Sequence, residues 1–248
     1  MSKLNIIGIG PGGYGSLTFD AYKCLEESEL IVAYTPYLEY IRGFIKIEEK
    51  RIYTSGMTQE IERCRYAVEE AAKGVLTSII STGDAGLYGM AGPCFEIADE
   101  KGLLEDLEIN VIPGVSAVFA AASELGAPLM HDSAIISLSD LLTPIDLILK
   151  RVEMAARGDF VIAIYNPRSK KRPDNLKWAI DIIREHRSAE NIVGIVRNAG
   201  RDGMDKFICK LDEIDYEKVD MMSTLIIGNS QTREKNGKMI TPRGYENK

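Results

Sequence analysis

The stretch Ser81-Thr-Gly-Asp-Ala-Gly-Leu-Tyr-Gly-Met-Ala-Gly92 directly follows a run rich in β-branched residues, 76–80, that ends in two isoleucines. Such a run predicts a buried strand, and the glycines after it allow close approach of the backbone to a ligand. Two further glycine loops follow predicted strands, Gly8-Ile-Gly-Pro-Gly-Gly13 and Pro113-Gly-Val-Ser-Ala117. Because ligands of open α/β sheets lie outside the carboxyl ends of the strands, the three loops predict one shared pocket.

Strand and helix patterns alternate along the rest of the chain, which predicts an α/β fold with two domains. The first half predicts a mostly parallel sheet, and the second half a mixed sheet, because 206–210 looks like the antiparallel partner of a neighbouring strand. Gly126-Ala-Pro128 ends a helix, so we expect an N-terminal domain at 1–127 and a C-terminal domain at 128–248. Predicted helices are 17–27, 58–73 (with Thr58 at its start), 91–101, 116–125, 145–156 and 175–185, and 234–238 is interpreted as a polar connection.

Composition excludes several classes of protein. Hydrophobic residues make up 45% of the 248 residues and the formal net charge is -7, which favours a globular protein and disfavours nucleic-acid binding. We expect no membrane segment and no secretory leader, and therefore a cytoplasmic location. The four cysteines are widely spaced and the chain has two histidines, so we expect reduced thiols and no metal bound by the protein.

The first glycine loop formally matches the Gly-x-Gly-x-x-Gly pattern of dinucleotide-binding proteins. Pro11 removes an N–H from that loop, and the strand ending in Ala33-Tyr-Thr-Pro36 offers no acidic residue for a ribose. The pattern alone leaves a nicotinamide site and a merely structural turn open.

The three loops together resemble the tetrapyrrole methylases, which are S-adenosylmethionine-dependent enzymes of corrin and sirohaem synthesis. Later motifs resemble those members that methylate position 17 of a cobalamin-pathway tetrapyrrole, precorrin-3B or cobalt-factor III, with contraction of the macrocycle. The resemblance implies two α/β domains of the class III methyltransferase type, an active site in the interdomain cleft and a homodimer. These later motifs are His131-Asp132, Ile136-Ser-Leu-Ser-Asp-Leu-Leu-Thr-Pro144, Tyr165-Asn-Pro-Arg-Ser169 with Arg172, and Thr241-Pro-Arg-Gly-Tyr245.

By the same resemblance, the cofactor S-adenosylmethionine would contact residues of both domains. The contacts in the second domain are inferred only from their places at strand ends. For Asp84 the alternative is a cap on local amides. The implied cofactor-binding residues are Gly10, Pro11, Thr82, Gly83, Asp84, Leu87, Ser116 and Ala117 in the first domain, and Asn166, Ala199 and Thr224 in the second.

The substrates of the family carry many carboxylates, which a protein of this net charge repels at long range. Arg168 and Arg172 are therefore the predicted substrate ligands, although a charged loop can also be only solvated. Candidates for catalysis are His131 with Asp132, as a proton-transfer pair or a structural hinge, and Tyr88, which can equally be a half-buried aromatic.

Several functions remain open from the sequence. They are the C17 methyltransferase, a sibling tetrapyrrole methylase acting on another ring carbon, a nicotinamide-dependent oxidoreductase and a non-catalytic adenosine-binding module. Whether the substrate carries cobalt also remains open.

Overall fold

The computed structural model describes residues 2–245. The chain divides into two compact units, Met1–Ala117 and Val118–Lys248. This division precedes the predicted boundary at Pro128, because the helix that ends before Gly126 packs with the core of the second unit. Val118, Ala121 and Leu125 of that helix share a hydrophobic cluster with Val161 and Val196.

The first unit is built on one parallel sheet with strand order β3-β2-β4-β1-β5. The predicted parallel architecture is confirmed. Its strands are β1 (Ser2–Gly8), β2 (Leu30–Tyr34), β3 (Arg51–Ser55), β4 (Thr77–Ser81) and β5 (Leu107–Ile112), and its helices are α1 (Phe19–Glu27), α2 (Glu60–Ala72) and α3 (Ala91–Glu100).

Helices cover both faces of this sheet because successive strand residues point to opposite sides. In β1, Leu4 and Ile6 pack with α2 and α3, whereas Ile7 packs with α1. The helices that follow β1 and β4 therefore lie on opposite faces. Since these two strands are neighbours, the position between them is the topological switch point of the sheet.

The second unit contains a mixed sheet with strand order β10-β9-β11-β8-β7, in which only β7 and β8 are parallel neighbours. Helices α5 and α6 pack on one face and α4 on the other. The predicted hairpin of β9 with β10 is confirmed. The elements are α4 (Ala117–Leu125), β6 (Gly126–Ala127), β7 (Ser133–Ser137), α5 (Ile145–Arg157), β8 (Val161–Tyr165), α6 (Asn175–Arg184), β9 (Ile192–Arg197), β10 (Asp205–Lys210), β11 (Ser223–Ile227), β12 (Arg233–Lys235) and β13 (Lys238–Ile240).

Two local predictions are wrong. The segment 234–238 is part of the hairpin of β12 and β13, whose turn residues Asn236 and Gly237 both have positive φ, 52° and 69°. Thr58 does not cap α2: its own φ is 66°, its hydroxyl donates to the Met57 carbonyl, and the helix begins after Gln59. Strand β3 is an additional element that the sequence analysis did not predict.

Within residues 2–245, no helix is long and apolar enough to cross a membrane. The four cysteines are free thiols, with Cys64 and Cys94 buried in the core of the first unit.

Candidate functional site

The loops after β1 and β4 are joined by backbone hydrogen bonds at the switch point of the first sheet. The Ile9 N–H donates to the Ser81 carbonyl at 2.9 Å. Gly10 and Gly83 exchange two bonds, since the Gly10 N–H donates to the Gly83 carbonyl at 3.0 Å and the Gly83 N–H to the Gly10 carbonyl at 2.7 Å. Both glycines have positive φ, 71° and 68°, which glycine adopts at little cost.

The loop after β5 packs directly on these two loops. A Cβ at Gly114 would lie 2.2 Å from the Gly83 carbonyl oxygen, and a Cβ at Gly8 would lie 2.7 Å from the Gly114 nitrogen. Neither position therefore accepts a side chain. The three glycine loops meet at one edge of the first unit, as their places after parallel strands led us to expect.

Asp84 binds the backbone of these loops. Its Oδ1 accepts from the N–H groups of Gly86 at 2.8 Å and Leu87 at 3.0 Å, and its Oδ2 accepts from the Gly114 N–H at 3.1 Å. This is the capping role that the sequence left open, extended to a second loop. It positions the carboxylate at the junction of the loops, and the ligand contact predicted for Asp84 stays a prediction.

The other predicted residues of the first unit lie in the same three loops. Gly10, Pro11, Gly83 and Ser116 are buried, whereas Thr82, Leu87 and Ala117 are half-buried. Ser116 and Ala117 lie next to Gly83, because a Cβ there would be 3.8 Å from Ser116 Cα and 3.7 Å from the Ala117 nitrogen. Tyr88 is 53% exposed and has a φ of 56°, a left-handed conformation that is unusual for a bulky residue.

In the second unit, the predicted residues Asn166, Ala199 and Thr224 lie at one edge of the sheet. Asn166 follows β8, Ala199 follows β9, and Thr224 lies near the start of β11, which runs antiparallel to both. Asn166 has a φ of 50° and its amide donates to the Ser137 hydroxyl at 2.9 Å, which links the ends of β7 and β8. The structure thus brings these three residues to a common edge.

The two predicted arginines follow β8 at that same edge, but their surroundings differ. Arg168 donates to the Tyr216 carbonyl at 2.8 Å and forms an ion pair with Glu217 at 2.7 Å. The side chain of Arg172 is only 13% exposed, and its nearest carboxylate oxygen, on Asp140, is 3.8 Å from Nε. Arg168 is therefore held by the protein, whereas Arg172 lacks a close acidic partner.

His131 and Asp132 do not lie with the arginines. They precede β7, and the Asp132 carbonyl accepts from the N–H of Val161 at the start of β8. A residue before a strand and a residue after its parallel neighbour lie at opposite edges of a sheet, so the second unit separates this pair from Arg168 and Arg172 by the length of β8. The His131 Nδ1 accepts from the Asp132 N–H at 2.9 Å, which leaves Nε2 to carry the proton of the neutral ring.

Among residues 2–245, no group of three or more histidine, cysteine, aspartate or glutamate side chains is placed to hold a metal ion.

A family model for Tetrapyrrole (Corrin/Porphyrin) Methylases matches residues 3–215. A probable cobalt-factor III C(17)-methyltransferase of Salmonella typhimurium is 46% identical, over 98% of this chain and 99% of that protein. A precorrin-3B C(17)-methyltransferase of Sinorhizobium sp is 36% identical, over 98% and 96%. A cobalt-factor III methyltransferase of Priestia megaterium is 43% identical over 99% of this chain, which spans only 46% of that longer protein.

Solved structures of methyltransferases have folds similar to that of this chain. The methyltransferase CobJ is similar with a TM-score of 0.92 and 33% identity, covering 98% of this chain and all (100%) of that one. A uroporphyrin-III C-methyl transferase from Thermus thermophilus, complexed with S-adenyl homocysteine, shares the fold with a TM-score of 0.66 at 20% identity, over 91% of this chain and 97% of that one.

Proposed function

Because this chain belongs to the tetrapyrrole (corrin/porphyrin) methylase family, we propose that it transfers the methyl group of S-adenosylmethionine to position 17 of a cobalamin-pathway tetrapyrrole, with contraction of the macrocycle. The substrate is cobalt-factor III or precorrin-3B, the compounds named in its relatives. The observation that carries the proposal is the junction of three glycine loops at the switch point of the first sheet.

The chemistry of that junction suits S-adenosylmethionine. Its loops 8–16, 81–92 and 113–117 contain no lysine or arginine, and Asp84 is their only ionisable carboxylate. Backbone carbonyls and a carboxylate suit the sulfonium and ammonium charges of this cofactor, whereas a pyrophosphate would favour a basic residue. We propose that Gly10, Pro11, Thr82, Gly83, Asp84, Leu87, Ser116 and Ala117 hold it, with Asn166, Ala199 and Thr224 contributed by the second unit.

When bound, S-adenosylmethionine supplies an electrophilic methyl group on a sulfonium. The protein then has to align the accepting carbon with that methyl and to exclude water, so positioning accounts for most of the acceleration. Arg172, and to a smaller extent Arg168, would orient the macrocycle through its peripheral carboxylates.

Contraction of the macrocycle also moves protons, for which we propose His131 with Asp132, and Tyr88, an exposed residue of the loop 81–92. His131 and Arg172 lie at opposite edges of the second sheet. One macrocycle can contact both only if it spans the length of β8. Since the role proposed for His131 is proton transfer and not ligand binding, His131→Ala is expected to bind both ligands and to turn over more slowly. Unchanged turnover would remove His131 from the mechanism.

Calorimetry tests the cofactor assignment. Wild-type protein should release heat with S-adenosylmethionine and with its demethylated product, and none with NAD. Gly83→Ala should weaken that binding, because alanine at a φ of 68° costs about 1–2 kcal/mol and distorts the bridge to Gly10. Gly102→Ala is the matched control, since its φ is 64° and a Cβ there meets nothing within 4 Å. Binding of NAD in place of S-adenosylmethionine would reject the assignment.

We also propose a homodimer, on the resemblance to the family alone. Light scattering at micromolar concentration checks it, and a particle of 27.5 kDa would contradict it.

A further inference from the structure

Two consecutive leucines of the second unit are exposed to solvent in the loop between β7 and α5. Leu141 is 72% exposed and Leu142 is 98% exposed. Met221, which precedes β11, is 42% exposed. We call these three residues the Leu–Met surface. Large apolar side chains that are exposed next to one another mark contact sites more often than singly exposed ones do.

The Leu–Met surface adjoins the guanidinium of Arg172. Its Nη2 donates to the Met221 Sδ at 3.6 Å, and its Nε lies 3.8 Å from Oδ1 of Asp140, the residue before Leu141. Arg172 thus links the loop that follows β7 to the segment that precedes β11. The loop 138–144 and the segment before β11 meet at this cation.

The protein uses only part of the hydrogen-bonding capacity of Arg172. Within the described residues 2–245, its Nη1 is buried and has no hydrogen-bond partner. Thioether sulfur is a weak acceptor, so Met221 compensates Nη2 poorly. A buried donor without an acceptor costs free energy, and that cost is recovered when a carboxylate binds. Methionine is flexible, so Met221 can move aside to admit one.

We propose that the Leu–Met surface is part of the substrate site: one apolar face of the macrocycle rests on Leu141 and Leu142, while a peripheral carboxylate displaces the Met221 sulfur from Arg172. This inference rests on the proposed function and adds three residues to it. A flat apolar ring edged by carboxylates matches exposed apolar side chains next to a cation that has an unused donor. The leucines exclude water from the ion pair, which strengthens it.

The test compares three variants with cobalt-factor III as the probe, titrated by absorbance in the presence of S-adenosylhomocysteine. Leu141→Ser/Leu142→Ser should raise the Kd by roughly tenfold or more, because two apolar contacts are lost. Arg172→Gln should raise it by a similar factor. In the triple variant the two effects should be less than multiplicative, since the leucines act partly by desolvating Arg172.

Controls separate this effect from folding. Met154→Ala removes an exposed methionine from the last turns of α5, away from Arg172, and should leave the Kd within about twofold, as expected for a substitution that touches no ligand. S-adenosylmethionine binding and the urea midpoint should be unchanged in every leucine variant. Both leucines are exposed, so serine there should fold normally.

Three outcomes would overturn the inference. If wild-type protein binds cobalt-factor III and the double leucine variant binds it equally well, the Leu–Met surface is not in the site, and the proposed function stands. If the variant keeps its affinity but changes its oligomeric mass, a second copy of the chain covers the leucines. If wild-type protein binds no tetrapyrrole, with or without cobalt, the proposed function fails together with the inference.

Discussion

Two arginines at opposite edges of the second sheet are both largely buried, but only one is saturated with acceptors. Arg187, at the edge where β8 begins, is 3% exposed and pairs with Asp159 at 3.1 Å. It also donates to four backbone carbonyls: Ala156 at 2.9 Å, Gly228 at 2.9 Å, Ala155 at 3.3 Å and Phe160 at 2.8 Å. Arg172, at the edge where β8 ends, has a sulfur at 3.6 Å and a carboxylate at 3.8 Å.

The difference separates a structural cation from a binding cation. Two of the carbonyls bound by Arg187 belong to the last turn of α5, which lacks partners within its own helix. Burial lowers the pKa of Arg187, and the charge of Asp159 opposes that change. The guanidinium links the end of α5, the start of β8 and the end of β11. The side-chain contacts of Arg172 are fewer and longer than those of Arg187, so its N–H groups remain available to a ligand.

The largest expected effect is on stability. Arg187→Met should lower the free energy of unfolding by about 3 kcal/mol or more, because four backbone carbonyls lose a charged hydrogen-bond donor. Urea denaturation measures it. Arg157→Met is the control, because Arg157 is 60% exposed and forms a surface pair with Glu153, so it should cost no more than about 1 kcal/mol. Equal losses would mean that Arg187 contributes no more to stability than a surface ion pair does.

Arg172→Gln should show the opposite pattern, with nearly unchanged stability and weakened binding of the tetrapyrrole. One desolvated charge-assisted contact is worth roughly 1.5–3 kcal/mol, which is about 10- to 150-fold in Kd. Arg168→Gln should have a smaller effect on Kd, because Arg168 is already engaged by Tyr216 and Glu217. Absorbance titration measures both variants. Unfolding of the Arg172 variant, or a larger effect at Arg168, would contradict the assignment.

These contacts also show what sequence patterns can and cannot predict. Runs of apolar or β-branched residues followed by glycines predicted β1, β4 and β5 and the loops after them, because both depend on neighbouring residues. The acceptors of Arg187 come from positions 155, 156, 159, 160 and 228, and no local pattern joins them. The separation of His131 from Arg172 likewise depends on the sheet order, which strand spacing does not give.

Some elements that were predicted wrongly could have been predicted from the sequence. Asn-Gly is the dipeptide typical of two-residue hairpin turns, so Asn236-Gly237 predicts β12 and β13 better than a polar connection does. Strand β3 was harder to predict, since it follows the charged segment 46–50 and lies at the edge of the sheet, where Arg51 and Ile52 are exposed. For Asp84, residue type alone could not decide between capping and ligand binding.

A smaller expected effect is the pH dependence of stability that Asp220 causes, at the same edge of the sheet as Arg172. Burial raises the pKa of Asp220, but the ion pair with Arg197 and the N–H of Met222 lower it more, so its pKa lies below the usual value of 3.8. A carboxyl whose pKa is lower in the folded state adds stability at neutral pH that is lost as the pH falls through its folded pKa. Asp220→Asn should therefore be less stable than wild type at pH 7 and approach it in acid. Thermal melts measure this, and a constant difference down to pH 2 would contradict it.

The central claim, methylation at position 17, is tested most directly by the position of the transferred carbon. Wild-type protein is incubated with cobalt-factor III and S-adenosylmethionine labelled with ¹³C in the methyl group, and the product is examined by NMR. We expect the label on C17 of a ring-contracted macrocycle. A label on any other ring carbon would make the protein a different methylase of the family and would contradict the proposed function.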